Sequence, residues 1–111
     1  MVIHGVCLDF ALYNADKDTK KKYFQELEKM KHLSENVPHG NEQEKNKYLC
    51  DSIKKMFDGV FGEGAGVEVC GEENDLLLHM DAYEQLVNEQ IRQQEQYNGI
   101  MERLGSMRKR K

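Results

Sequence analysis

Between Asn74 and Leu104 the chain runs without a proline and with Gly99 as its one glycine, while apolar groups recur at steps of three and four residues. A helix of that length is about 45 Å long. A chain of 111 residues makes one domain, and such a domain needs no helix so long to close its core. Leu76, Met80, Tyr83 and Val87 are spaced as a heptad seam, which continues through Gln90, Gln94, Tyr97, Met101 and Leu104. The middle of the seam is polar: Asn88 to Asn98 holds Ile91 and Tyr97 as its large apolar groups. The helix therefore divides. Its first half offers a seam the domain itself can bury. Its second half offers Ile91, Tyr97, Ile100, Met101 and Leu104 among glutamines, groups expected to be partly exposed in a monomer and covered in an assembly. Asn74 or Asp75 suits the N-cap.

The rest of the chain supplies the body. Val2-Ile3 and Val6-Cys7 flank His4-Gly5, the pattern of a two-residue hairpin turn, with His a weaker first turn residue than Asn or Asp. Leu8, Phe10 and Leu12 then alternate with less apolar neighbours, as in a half-buried strand. Asn14-Ala15-Asp16 reads as a helix start, followed by Tyr23, Leu27 and Met30 and fading by about Asn36 ahead of Pro38. Leu49, Ile53, Met56, Phe57 and Val60 form the clearest helical stripe. It ends at Phe61-Gly62-Glu63-Gly64-Ala65-Gly66, and the four glycines from Gly62 to Gly71 mark a tight, irregular connection. The expected fold is mainly α: a three-helix domain over residues 1–105 with a short N-terminal β-hairpin (1–13) and a long C-terminal helix, then a basic flexible tail (106–111).

Charge is uneven along this chain. Overall there are 16 basic and 20 acidic residues. Arg103, Arg108, Lys109, Arg110 and Lys111 close the chain with no acid among them, so the remainder holds 11 basic against 20 acidic residues, a balance of −9. An acidic body repels nucleic acid, and only the tail attracts it. Read plainly, the tail is a solubilising end; read functionally, it touches nucleic acid or an acidic partner surface.

No pattern for chemistry survives inspection. Gly62-Glu63-Gly64-Ala65-Gly66 follows a helix, has Val67 where a dinucleotide loop needs glycine, and lacks a Gly-Lys-Ser/Thr. His4, His32, His39 and His79 include no i, i+4 pair and read as surface or half-buried residues. Cys7, Cys50 and Cys70 are odd in number and widely spaced, and read as small buried hydrophobes in a reducing cytoplasm. No leader and no membrane span is evident. The expectation is a binding protein and not an enzyme, with no metal and no cofactor.

Two stretches point to a family. The first is Gly5-Val6-Cys7-Leu8-Asp9-Phe10-Ala11-Leu12-Tyr13-Asn14-Ala15-Asp16. The second is Met56-Phe57-Asp58-Gly59-Val60-Phe61-Gly62-Glu63-Gly64 with Val69-Cys70-Gly71-Glu72-Glu73-Asn74-Asp75-Leu76. Together with the order of elements they resemble the small tail-assembly-chaperone-like proteins of long-tailed phages and prophages of Gram-positive bacteria. The resemblance implies a role in tail building: coating the tape-measure protein, keeping it soluble and recruiting tail-tube subunits, with no catalytic residues. The expected partner contacts are Ile91, Tyr97, Ile100, Met101, Leu104, Arg108, Lys109, Arg110 and Lys111, with homo-oligomers expected and nucleic acid and membrane not. Two alternatives stay open at this point: a nucleic-acid-associated or regulatory phage protein acting through its basic tail, and a structural self-assembling helical protein.

Overall fold

His4 and Gly5 both take positive φ, 49° and 81°, the backbone of a two-residue turn whose twist matches the strands it joins. Strands β1 (Val2–Ile3) and β2 (Val6–Cys7) pair antiparallel across it, with Val2 opposite Cys7 and Ile3 opposite Val6. Histidine tolerates the left-handed position because its ring is anchored at both nitrogens. Nδ1 lies 2.9 Å from the Val69 carbonyl oxygen and Nε2 2.7 Å from Asp81 Oδ2. The computed structural model describes residues 1–109.

After Cys7 the chain is a strap rather than the expected strand. Its burial alternates as the sequence suggests, with Phe10 and Leu12 buried and Leu8 partly so. Leu8 still exchanges backbone hydrogen bonds with Met1, at 2.8 and 2.9 Å, but from Asp9 on no strand among the described residues pairs with it, and part of its backbone bonding goes to a side-chain amide of α4. The next helix also starts later than Asn14. Asn14 Oδ1 accepts the Asp16 N–H at 2.9 Å, a local turn that competes with helix entry. Helix α1 runs Thr19–Lys31 behind Asp18, and a single 3-10 turn, Leu33–Glu35, ends at Asn36 as expected. Tyr23 is its one fully buried side chain, flanked by half-buried Phe24, Leu27 and Met30.

Helix α2 spans Glu42–Phe61, capped by Asn41, whose side chain accepts the Glu44 N–H at 2.9 Å. Ile53, Met56, Phe57 and Val60 are buried along its stripe. The glycine-rich connection is more regular than the sequence suggests: it holds a fourth helix, α3 (Ala65–Cys70), between Gly64 and Gly71. Gly66 explains how α3 fits. A Cβ there would sit 2.4 Å from the Lys54 carbonyl oxygen, so the α2 and α3 backbones touch where only glycine can stand. Asp58 of α2 accepts the Gly66 N–H at 2.8 Å and fixes the contact.

Helix α4 runs Leu76–Lys109, 34 residues, about 50 Å of rod. Asp75 caps its start by accepting the Leu78 N–H at 3.3 Å. The hairpin, the strap and α1 to α3 gather around its first half, over a core of Ile3, Phe10, Leu12, Tyr23, Ile53, Phe57, Val69 and Leu86. The fold is thus mainly α, with the hairpin and the long C-terminal helix as expected and, among the described residues, four α-helices instead of three. The helix continues through Ser106 to Lys109, past the tail boundary expected at 105/106.

Candidate partner-binding surface

One face of α4 organises the molecule. His79, Ala82 and Leu86 on it are fully buried and Tyr83 is partly buried. The expected seam of Leu76, Met80, Tyr83 and Val87 is therefore displaced. Met80 is 37% exposed, and Leu76 and Val87 are only partly covered. A helix advances about 100° per residue, so a frame shifted by one residue still steps by three and four. Here it takes His79 inside and leaves Met80 outside. This also corrects the expectation that every histidine is at or near the surface.

The polar middle of the helix continues the same face, and it packs on the body. Tyr23 donates its hydroxyl to Gln90 Oε1 at 2.7 Å. Gln93 clamps the strap: its Nε2 donates to the Phe10 carbonyl at 2.5 Å, and its Oε1 accepts the Leu12 N–H at 2.9 Å. One side-chain amide thus does what a neighbouring strand would do, satisfying a donor and an acceptor of an unpaired backbone. Gln90 and Gln93 were missed by reading glutamine as solvent-facing. Tyr97 then stacks on Tyr13, with ring centres 4.3 Å apart and planes within 6°, and Lys20 Nζ sits 4.4 Å above the Tyr13 ring. Phe10, Ala11 and Tyr13 of the strap, with Gln93, Tyr97 and Ile100 of α4, line a shallow groove.

Beyond Tyr97 the face stays apolar and, past the groove that Ile100 borders, is left uncovered by the described residues. Ile100, Met101, Leu104 and Met107 are 39%, 45%, 49% and 66% exposed. Of the expected contact residues, Tyr97, Ile100, Met101 and Leu104 lie together on this face. Ile91, 44% exposed, points to the opposite side of the helix with Leu77, Met80 and Val87. Arg108 is exposed on the last turn. The side chain of Lys109, with Arg110 and Lys111, falls outside the described residues.

Burial favours the neutral forms of the histidine and the two cysteines inside the body. His79 Nδ1 donates to the Asp75 carbonyl at 2.6 Å, which leaves Nε2 bare and without a partner in the core. Burial lowers its pKa and keeps the ring neutral. Burial likewise raises the thiols of Cys50 and Cys70, the latter to about 11. Cys7, expected inside with them, is exposed because β2 turns it outward. Between the strap, α1 and the α2–α3 corner lies a wide, open basin lined by Asp9, Asp16, Lys17, Asp18, Lys22 and Glu63. Asp9 and Lys17 pair at 2.5 Å within it. No cluster of histidine, cysteine or acidic side chains fit to hold a metal occurs among the described residues, and no helix among them is long and apolar enough to cross a membrane.

Comparison with curated proteins and with solved structures gave no match. The model of a family of unknown function, DUF6673, matches residues 4–111. With nearly its whole length inside that match, the chain belongs to the family of unknown function DUF6673.

Proposed function

We propose that this chain is an accessory protein that binds an apolar helical segment of another protein and shields it from water, acting by binding and not by catalysis. One observation carries the proposal: the stripe that the body buries along the first half of α4 continues, uncovered, through Ile100, Met101, Leu104 and Met107. A rigid helix face held clear of its own domain is a groove-filling or helix-pairing surface. Each aliphatic group covered contributes roughly 1.5–3 kcal/mol, and association costs about 4–15 kcal/mol in lost freedom. Four or five such groups give a reversible contact, which suits a protein that must hand its partner on. The resemblance in the hairpin and glycine segments supports a phage tail component, the tape-measure or tail-tube protein, as the partner, and the cytoplasm of a bacterial host as the proposed place of action.

Co-expression with a phage tape-measure protein tests this. The expected result is a soluble complex with the native chain that is lost with Ile100→Lys plus Leu104→Lys, while the variant keeps its helical spectrum and melting midpoint. Capture of the partner that is indifferent to the double change would remove this face from the interface.

A further inference from the structure

The strap bonds through every second residue of its backbone. The N–H and the carbonyl of Leu8 both bond Met1, at 2.8 and 2.9 Å. The Phe10 carbonyl and the Leu12 N–H both bond Gln93. In an extended chain the N–H and C=O of one residue point to one edge, and those of the next residue to the other. Leu8, Phe10 and Leu12 therefore turn the same edge toward β1 and α4. The side chains follow the matching alternation, with Phe10 and Leu12 buried and Cys7 and Asp9 exposed. Cys7, Asp9 and Ala11 turn their N–H and C=O groups to the opposite edge, and no hydrogen bond from the described residues reaches them there.

This outer edge borders the open basin. Cys7, Leu8 and Asp9 form one side of it, and Val60, Phe61 and Ala65 supply its apolar part, in a volume of about 850 Å³. Five acids line it, Asp9, Asp16, Asp18, Glu63 and Glu68, against two lysines, Lys17 and Lys22, a balance of −3. Both lysines are already engaged, Lys17 with Asp9 at 2.5 Å and Lys22 with Asp18 at 3.5 Å. Asp16, Glu63 and Glu68 are exposed, and their carboxylates make no ion pair or hydrogen bond with the described residues.

We infer that the outer edge of the strap, from Cys7 to Ala11, is a docking edge for an extended, basic segment of another protein, which adds as a further strand along the basin. The edge itself sets the form of the partner. Unpaired donors and acceptors at every second residue are matched by the main chain of a strand, and not by a helix, whose main-chain groups are used within it. The three unengaged carboxylates set its charge. The edge accommodates about five residues, roughly 16 Å of strand. Side chains of the added strand alternate between faces, so lysine or arginine beside the acids alternates with apolar groups beside Val60 and Phe61. This edge is separate from the distal stripe of α4, and the inference does not rest on the proposed function.

Hydrogen exchange and amide chemical shifts of the full chain test it, with a capped Lys-Val-Lys-Val-Lys-Val-Lys peptide as probe. Without peptide, the amides of Cys7, Asp9 and Ala11 are expected to exchange fast and that of Leu12 slowly. With peptide, those three amides are expected to shift saturably and to exchange more slowly. The same peptide methylated on every backbone nitrogen keeps its charge and side chains but donates no main-chain hydrogen bond, and is expected to bind at least about tenfold more weakly. A Glu-Val repeat of equal length is expected not to bind. Asp16→Asn with Glu63→Gln and Glu68→Gln is expected to weaken the Lys-Val peptide about tenfold. Ile100→Lys plus Leu104→Lys is expected to bind it like the native chain, which separates this edge from the distal stripe. Three results would each overturn the inference, and none of them depends on a variant that folds: amides of Cys7, Asp9 and Ala11 protected in the isolated chain, no shift in them at millimolar peptide, or equal binding of the methylated peptide, which would leave charge attraction alone.

Discussion

The two halves of α4 carry the same stripe and meet opposite fates. From His79 to Gln93 the face is buried or bonded, although it includes a histidine and two glutamines. From Ile100 to Met107 it is open, although every residue on it is aliphatic or thioether. Apolar character therefore does not decide burial in this chain. The supply of covering elements does, and α1 to α3 with the hairpin cover only half of the rod. A polar side chain is admitted to the covered half where it has a backbone or hydroxyl group to satisfy.

Substitution at equivalent leucines breaks the comparison most sharply. Leu86→Ala is expected to cost about 2–5 kcal/mol in urea unfolding, since Leu86 is fully buried. Leu104→Ala, the same chemistry five turns on, is expected to cost less than about 0.5 kcal/mol. Equal losses would mean that the distal half is covered in solution.

The glutamines come next. Gln93→Ala strands the Leu12 N–H and the Phe10 carbonyl and is expected to cost about 1–3 kcal/mol. Gln96→Ala, outside the clamp, is expected to leave the unfolding midpoint where it was. Faster hydrogen exchange at Leu12 in the first variant alone would locate the effect in the strap.

A pH series sharpens the view of the covered half, which holds both anchored histidines. His4 faces an oxygen acceptor at each ring nitrogen, so the docked ring is the imidazolium, and the Asp81 bond, then the Val69 carbonyl, raise its pKa. Its contribution is complete below the ordinary imidazole value and is lost as pH rises through the raised one. His79 acts on the other side. Its pKa is lowered by burial, so below the ordinary value the unfolded chain takes up a proton that the folded chain refuses, and stability falls with pH. The unfolding midpoint is expected to pass through a maximum near neutrality, and His4→Gln to flatten the alkaline limb alone. An unchanged alkaline limb in that variant would show that the hairpin turn is not held by a charged ring.

The smallest effect belongs to the free half. Gly99→Ala and Gly105→Ala meet no close neighbour and are each expected to favour the distal helix by about 1 kcal/mol. That gain is expected in slowed hydrogen exchange near residues 98–106 and not in the melting midpoint, which the body sets.

Local patterns made much of this legible. The α2 stripe, the His4-Gly5 turn, the stop near Asn36 and the length of α4 are each written in residues close together in sequence. What escaped depends on distant partners. Nothing near Gln93 announces that the strap will reach it, and nothing near His79 says that its Nδ1 will find the Asp75 carbonyl and let the ring into the core. The seam lies one residue away from the apolar reading because Met80 is the more apolar residue, whereas the body packs on His79, whose Nδ1 is satisfied by the Asp75 carbonyl. The α3 turn was hidden by its glycines, which usually break helices; here Gly66 is the residue that lets one pack.

The free half of α4 also changes how the monomer moves through water. The molecule measures 64 × 29 × 21 Å, with a radius of gyration of 17.0 Å, against about 13 Å for a compact chain of this length. Such a rod drags more than its mass implies and tumbles faster about its long axis than end over end. A single copy is expected to leave a sizing column ahead of compact standards of equal mass, so early elution by itself is the signature of one protruding helix and not of two chains. Light scattering or sedimentation equilibrium, which weigh the particle independently of its shape, separate the two. A chain truncated after Tyr97 is expected to elute later by more than the lost mass accounts for.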